Sequence, residues 1–149
     1  MNYSDKNIKS EEKLLYEEYK KNVKELKKSQ KEHKEQALVG QIFTKGLLPI
    51  YVLHILSLDP SNGNDISNKI GKRTKGLWTP STGGIYPILK KLEKSGDIIG
   101  EWDNPEKKFQ KIYRLTDQGK DNFEKKKAIL KPRIEESLKV FKIIYKDIY

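Results

Sequence analysis

Three helical stretches followed by a pair of β-prone runs predict a mainly α fold with a small β-hairpin. In that order they make a winged helix-turn-helix, here with long N-terminal and C-terminal helices. Two observations carry this reading. Apolar residues recur at steps of three and four over most of the chain, and Gly, Pro, Asp and Asn clusters fall at the boundaries of each periodic stretch. The organisation expected is an N-terminal helical extension over residues 1–40, a winged domain over 41–116 and a C-terminal dimerisation helix over 117–149.

Residues 10–38 read as one long helix capped by Ser10, with Glu11 and Glu12 in its first turn. Leu15, Tyr19, Asn22 and Leu26 follow a heptad-like seam, which fades through Gln30, His33 and Ala37 to an expected stop at Gly40. So thin a stripe needs a packing partner, and a second subunit is the expected one. Thr44 to Leu58 is apolar on nearly every face (Leu47, Leu48, Ile50, Tyr51, Val52, Leu53, Ile55, Leu56, Leu58), which places it at the centre of a core. His54 lies within it as a core or interface histidine. The run Asp59-Pro60-Ser61-Asn62-Gly63 is a dense turn signal.

A second helix, Asn64 to Lys72, buries Ile66 and Ile70, and a basic loop, Lys72-Arg73-Thr74-Lys75, follows. Its flanking glycines, Gly71 and Gly76, superficially resemble a phosphate loop, but Leu77 and Trp78 stand where Lys and Ser/Thr are obligatory. The third helix is expected to open with Thr79 as cap and Pro80 at its first position. Ile85, Leu89 and Leu92 form its inward stripe, with Gly83 and Gly84 giving room for Pro87, and Gly96 ends it. Residues 97–102 and 110–115 read as the hairpin, joined by Asp103-Asn104-Pro105-Glu106-Lys107-Lys108 as a basic tip. Thr116 caps a final helix with an apolar seam at Phe123, Leu130, Ile134, Leu138, Phe141, Tyr145 and Ile148, and Pro132 is expected to kink or restart it.

Composition narrows the function. The 149 residues carry 31 Lys and Arg against 21 Asp and Glu, a net charge of +10, which suits a polyanionic partner. Half of that excess, 12 basic against 7 acidic side chains, lies within 41–116. Cysteine is absent and only two histidines occur, so no disulfide framework, thiolate site, paired-His metal motif or thiol nucleophile can be assembled. No nucleophile–base pair or cofactor loop appears at a recognisable spacing, so neither an enzyme nor a cofactor is expected. The N-terminus lacks an apolar signal core, and Leu47 to Leu58 is too short for the ~20 residues a membrane helix needs. A soluble, cytoplasmic protein is expected.

A helix ~10–12 Å across fits a major groove ~12 Å wide, and its free N–H groups suit phosphate oxygens. Ser81 and Thr82 at that end allow close approach and hydrogen bonding, while Lys107 and Lys108 on the wing reach the adjacent backbone or minor groove. The competing readings are capping for Ser81 and Thr82, packing against the wing for Tyr86, and plain solvation for Lys90, Lys107, Lys108 and Lys72-Arg73-Lys75. For the last helix they are packing within the chain, or a small-molecule pocket at Phe141, Tyr145 and Tyr149. Its apolar surface exceeds what one small domain covers, which favours dimerisation through Leu130, Ile134, Leu138, Phe141 and Tyr145, with Leu15, Tyr19 and Leu26 adding an N-terminal seam.

Residues 46–119 resemble the PadR family of transcriptional regulators, through GLLPIYVLHILSL, NGNDISNKI, STGGIYPILKKLEKSG and KIYRLTDQG. The resemblance implies a dimeric, typically repressive regulator of transcription bound to a pseudo-palindromic double-stranded operator. It gives the recognition role to Ser81 through Lys90, including Gly83, with Thr82 and Tyr86 matching the motif, and the wing role to Lys107 and Lys108. The chain departs from the family at Gly63-Asn64, where Gly-Tyr is common, and in its long first helix. Both tryptophans, Trp78 and Trp102, lie outside the C-terminal helix, so the family's planar-ligand site is not carried over and any small-molecule effector stays unassigned. The alternative reading is a winged-helix protein-interaction module that does not bind DNA.

Overall fold

The computed structural model describes residues 3–36 and 38–149, and side chains for 6–30, 40 and 42–149. Among the described residues the order is α1 (Tyr3–Gln36), α2 (Leu38–Leu58), α3 (Gly63–Arg73), α4 (Thr82–Ser95), β1 (Ile98–Trp102), β2 (Lys111–Leu115) and α5 (Asp117–Ile148). The chain divides into two units, Met1–Val39 and Gly40–Tyr149. The fold is the mainly helical, winged helix-turn-helix architecture that the sequence predicts.

α1 starts seven residues before the expected cap, so Ser10 is an interior helical residue. Leu15, Tyr19 and Leu26 are all exposed on it; His33 and Ala37, the end of the expected stripe, lie outside the described side chains. Gly40 is not a stop but an interior residue of α2. A glycine ends a helix by turning left-handed, and among the described residues only Gly76 and Gly96 do so. At Gly40 the missing Cβ makes room for Trp78, whose Cδ1 would lie 3.7 Å from it.

In the second unit α2 supplies the centre of the core through Leu48, Val52, Leu53, Ile55 and Leu56, joined by Ile66 and Ile70 of α3, and Ile85, Leu89 and Leu92 of α4. Trp78, Ile98, Tyr113 and Phe123 close it. The apolar run overshoots the core at its end, leaving Leu58 exposed. His54 is half-buried between Tyr51 and Phe123 at ring distances of 5.5 and 6.3 Å. Burial first, then the nearby charges of Arg73 and Lys127, hold its pKa below 6.5.

α3 is capped by Asn62, whose side chain accepts from the Asp65 N–H at 2.8 Å. The start of α4 differs from the sequence expectation. Ser81 is the N-cap and accepts from Gly84 N at 3.2 Å, so Thr82 is the first helical residue. Thr79 and Pro80 instead lock the turn onto α3: Ser67 Oγ donates to the buried Pro80 carbonyl, and Thr79 Oγ1 fills the space above Gly71. α5 runs unbroken through Pro132, with no restart. The carbonyl that Pro132 leaves unbonded belongs to the exposed Ala128, where water can satisfy it.

Gly96 caps α4 in the left-handed conformation (φ 86°), and Asp97 N donates to Leu92 O at 3.0 Å. The chain then enters an antiparallel ladder from Ile98↔Leu115 to Trp102↔Lys111. Thr116 caps α5 by accepting from Gly119 N at 3.0 Å while donating to Gly96 O at 2.6 Å. A Cβ on Gly119 would overlap the Asp97 carbonyl oxygen. Gly119→Ala is therefore expected to destabilise the protein by about 3 kcal/mol or more. Gly46, with nothing within 4 Å of an added Cβ, should gain about 0.5–1 kcal/mol as Gly46→Ala. Urea unfolding of both variants checks the contrast.

Candidate nucleic-acid interface

The face of α4 opposite its buried stripe is open to solvent. Ser81, Thr82, Gly83, Tyr86 and Lys90 are all exposed, whereas Ile85, Leu89 and Leu92 are buried. The steps of three and four that bury one stripe leave 82, 83, 86 and 90 on the other side. Four of the predicted recognition residues thus share a single surface with Ser81 at its edge. Ser81 spends its hydroxyl oxygen on the helix cap, as its structural reading held, leaving its proton available to a phosphate.

Tyr86 is 48% exposed, and its ring also covers the start of α3. A Cβ on Gly63 would come within 2.9 Å of Tyr86 Cζ. The aromatic contact that the Gly63-Asn64 pair lacks is thus supplied from α4, a role that spacing alone did not reveal. About half of the side chain faces solvent beyond that contact.

The wing is fastened to this helix. Lys111 Nζ donates to Glu93 Oε1 at 2.8 Å, and that hydrogen bond, ahead of simple charge attraction, raises the Lys111 pKa above 10.5. The Lys111 stem lies across Gly100, where an added Cβ would sit 2.5 Å from Cε, and its ammonium lies 5.7 Å from the Tyr113 ring centroid. Ser61 adds a third strand position by exchanging backbone hydrogen bonds with Tyr113 at 3.0 and 2.9 Å. Neither Glu93 nor Gly100 stood out in the sequence as part of the site. Their role depends on the hairpin register, which no local pattern encodes. Lys107 and Lys108 are exposed at the tip. Among the described residues no group of His, Asp or Glu could hold a metal, and no helix is long and apolar enough to cross a membrane.

Residues 52–125 match the transcriptional regulator PadR-like family. The chain belongs to that family. Its members are regulators of transcription rather than enzymes, and the matched span covers α4, the wing and the start of α5. The transcriptional regulator YqjI of Escherichia coli is 35% identical over 100 residues, which are 66% of this chain and 46% of that protein. The chain therefore spans about half the length of the curated relatives it matches. A transcriptional regulator from Clostridium thermocellum superposes with a TM-score of 0.51 at 25% identity, covering 70% of this chain and 93% of that one. A PadR family transcription regulator from Clostridium difficile gives 0.51 at 26% identity, covering 64% and 98%.

Glu93→Gln should cost about 1 kcal/mol or less, because both partners of the ion pair are partly solvated. Gly100→Ala displaces the same lysine and should cost a similar amount. The double variant is expected to fall short of the sum of the singles, since both break one interaction. A thermal or urea double-mutant cycle reads this directly.

Proposed function

We propose that the chain is a sequence-specific, double-stranded DNA-binding transcriptional regulator, a repressor acting as a homodimer on a pseudo-palindromic operator. The observation that carries the proposal is the solvent-facing first half of α4. Small hydroxyl and glycine residues at its N-terminus let the duplex come close, Tyr86 and Lys90 extend the same surface, and the wing is pinned beside it. Helix N–H groups and lysines bind the phosphates and fix register, while Thr82 and Tyr86 reach base edges.

The apolar surface left exposed on α5 among the described residues supports dimerisation. On α5, Leu138 and Tyr145 are largely exposed, Phe141 and Ile134 about half or less, and Leu130 is half-buried. Phe141 meets Phe43 of α2 at a ring distance of 6.3 Å. A twofold pairing of this face holds two reading helices at a fixed separation, which must approximate one DNA turn of ~34 Å. Leu15, Tyr19 and Leu26 form a second apolar seam on α1 that a coiled-coil contact between subunits would cover.

Gel shift on the DNA upstream of its own gene, followed by selection from random duplexes, tests the reading. Affinity should fall by ~10³ or more between 50 and 200 mM salt if 6 to 10 phosphates are neutralised. Thr82→Ala and Tyr86→Ala should each weaken operator binding by about 1–3 kcal/mol with the dimer intact. Normal affinity in both would take α4 out of its role, and no duplex binding at all would leave a protein-interaction module. In sedimentation, Leu138→Glu should convert dimer to monomer and Leu15→Glu should shift the equilibrium the same way.

A further inference from the structure

Phe109 follows Lys107 and Lys108 at the tip of the hairpin and is 79% exposed. A single exposed apolar residue is ordinary; what distinguishes this one is the order of the loop that carries it. Asn104 Oδ1 accepts from Glu106 N at 3.0 Å and from Lys107 N at 3.2 Å, and the Asn104 carbonyl accepts from Lys108 N at 2.8 Å. Asp103 Oδ1 accepts from Asn104 N at 2.7 Å and from Gln110 N at 3.4 Å, and Asp103 N donates to Gln110 O at 2.9 Å. The Asp103 carboxylate is thereby spent on the loop's own N–H groups. Lys108 sits in the left-handed region at φ 50°, a conformation that a residue with a Cβ takes only when its surroundings impose it. The loop holds an aromatic ring in water directly after two lysines, when a polar residue there would cost nothing.

We propose that Phe109 is an apolar wedge that enters the DNA minor groove beside the major groove occupied by α4 and partly unstacks one base step, with Lys107 and Lys108 on the flanking phosphates. This rests on the DNA-binding reading above. The minor groove is ~6 Å wide, enough for a ring presented edge-on once the groove opens. Apolar side chains inserted between base steps unstack them and kink the duplex. Such a wedge reads sequence without hydrogen bonds, because pyrimidine–purine steps open more easily than others. The wing is pinned to α4 through Lys111 and Glu93, so the step it probes lies at a fixed distance from the bases read by Thr82 and Tyr86.

The test uses the full chain and duplexes that the wild-type protein retains from a random pool, with 2-aminopurine placed in turn under the wing. Wild type should raise 2-aminopurine emission at one step per half-site. Phe109→Ala should abolish that rise and weaken binding about tenfold, with the slope of log affinity against log salt unchanged, since no phosphate contact is lost. Lys108→Ala should instead reduce that slope by about 1 and keep the emission signal. Phe109→Leu, still an apolar wedge, should retain part of the signal. Phe109 lies outside the core, so the unfolding midpoint of each variant should match wild type.

Wild-type affinity and undiminished emission in Phe109→Ala overturn the proposal. So does a loss of self-association in place of a loss of DNA binding, which would make Phe109 a contact between copies. Either result leaves DNA binding by α4 standing. Failure of the wild-type chain to retain any duplex would overturn both.

Discussion

At the foot of α5 the backbone of Gly119 lies against the Asp97 carbonyl so closely that no side chain fits between them. Three kinds of contact hold this approach. The Asp97 carbonyl accepts from Thr116 N at 3.1 Å, its buried carboxylate accepts from Asn122 Nδ2 at 2.7 Å and Gln118 Nε2 at 3.1 Å, and Gln118 Nε2 also reaches Ser95 O at 2.8 Å. A buried carboxylate without such donors would cost several kcal/mol. Here its donors come from α5 itself, so satisfying Asp97 and docking α5 are one event. Through this joint the end of α4, the start of the wing and the first turn of α5 share one geometry. In the proposed dimer, that geometry sets how far apart two reading helices stand.

The same economy appears at the other end of α4. Thr79 and Pro80 are exposed and buried neighbours, tied to Gly71 and Ser67 of α3, and only then does Ser81 open the helix. With Thr79 as the cap, Pro80 would have been the first helical residue and Thr82 the third. With Ser81 as cap, Thr82 and Gly83 occupy the first two helical positions, where the N–H groups have no partner within the helix. The free N–H groups and the smallest side chains coincide, which is where the proposed interface would bring a phosphate closest.

Element order and the buried stripes were legible in the sequence, because Ile66, Ile70, Ile85, Leu89 and Leu92 obey helical spacing and need only a core to face. The hairpin was legible from its β-prone runs and the turn formers between them. Helix ends were less so. Ser10, Gly40 and Thr79 each have the right chemistry for a terminus, yet each lost to a neighbour: α1 continues through Ser10, Trp78 claims the space at Gly40, and α3 claims Thr79. Contacts set by tertiary register, such as Lys111 with Glu93, Tyr86 over Gly63 and Asp97 against Gly119, left no local trace, since their partners lie between 18 and 23 positions apart.

Charge and apolar surface are divided along the chain in a way that suits two different partners. The 41–116 segment holds half of the net positive charge on a compact core, so its lysines act as a fixed array rather than a diffuse cloud. α5 beyond Phe123 has almost no buried residue of its own, although Ile129, Leu138, Val140, Ile143 and Ile148 are all more than half exposed. An amphipathic helix left this way is marginal in water and gains its stability from whatever covers it. DNA cannot do so, because phosphates offer nothing to an isoleucine. Protein can, and in the proposed dimer a second copy of the same helix presents a matching face by symmetry. In the proposed complex, binding of the duplex then needs no ordering of α5 at the moment of contact, and the free energy of the proposed lysine–phosphate contacts is available for affinity rather than for folding the protein that makes them.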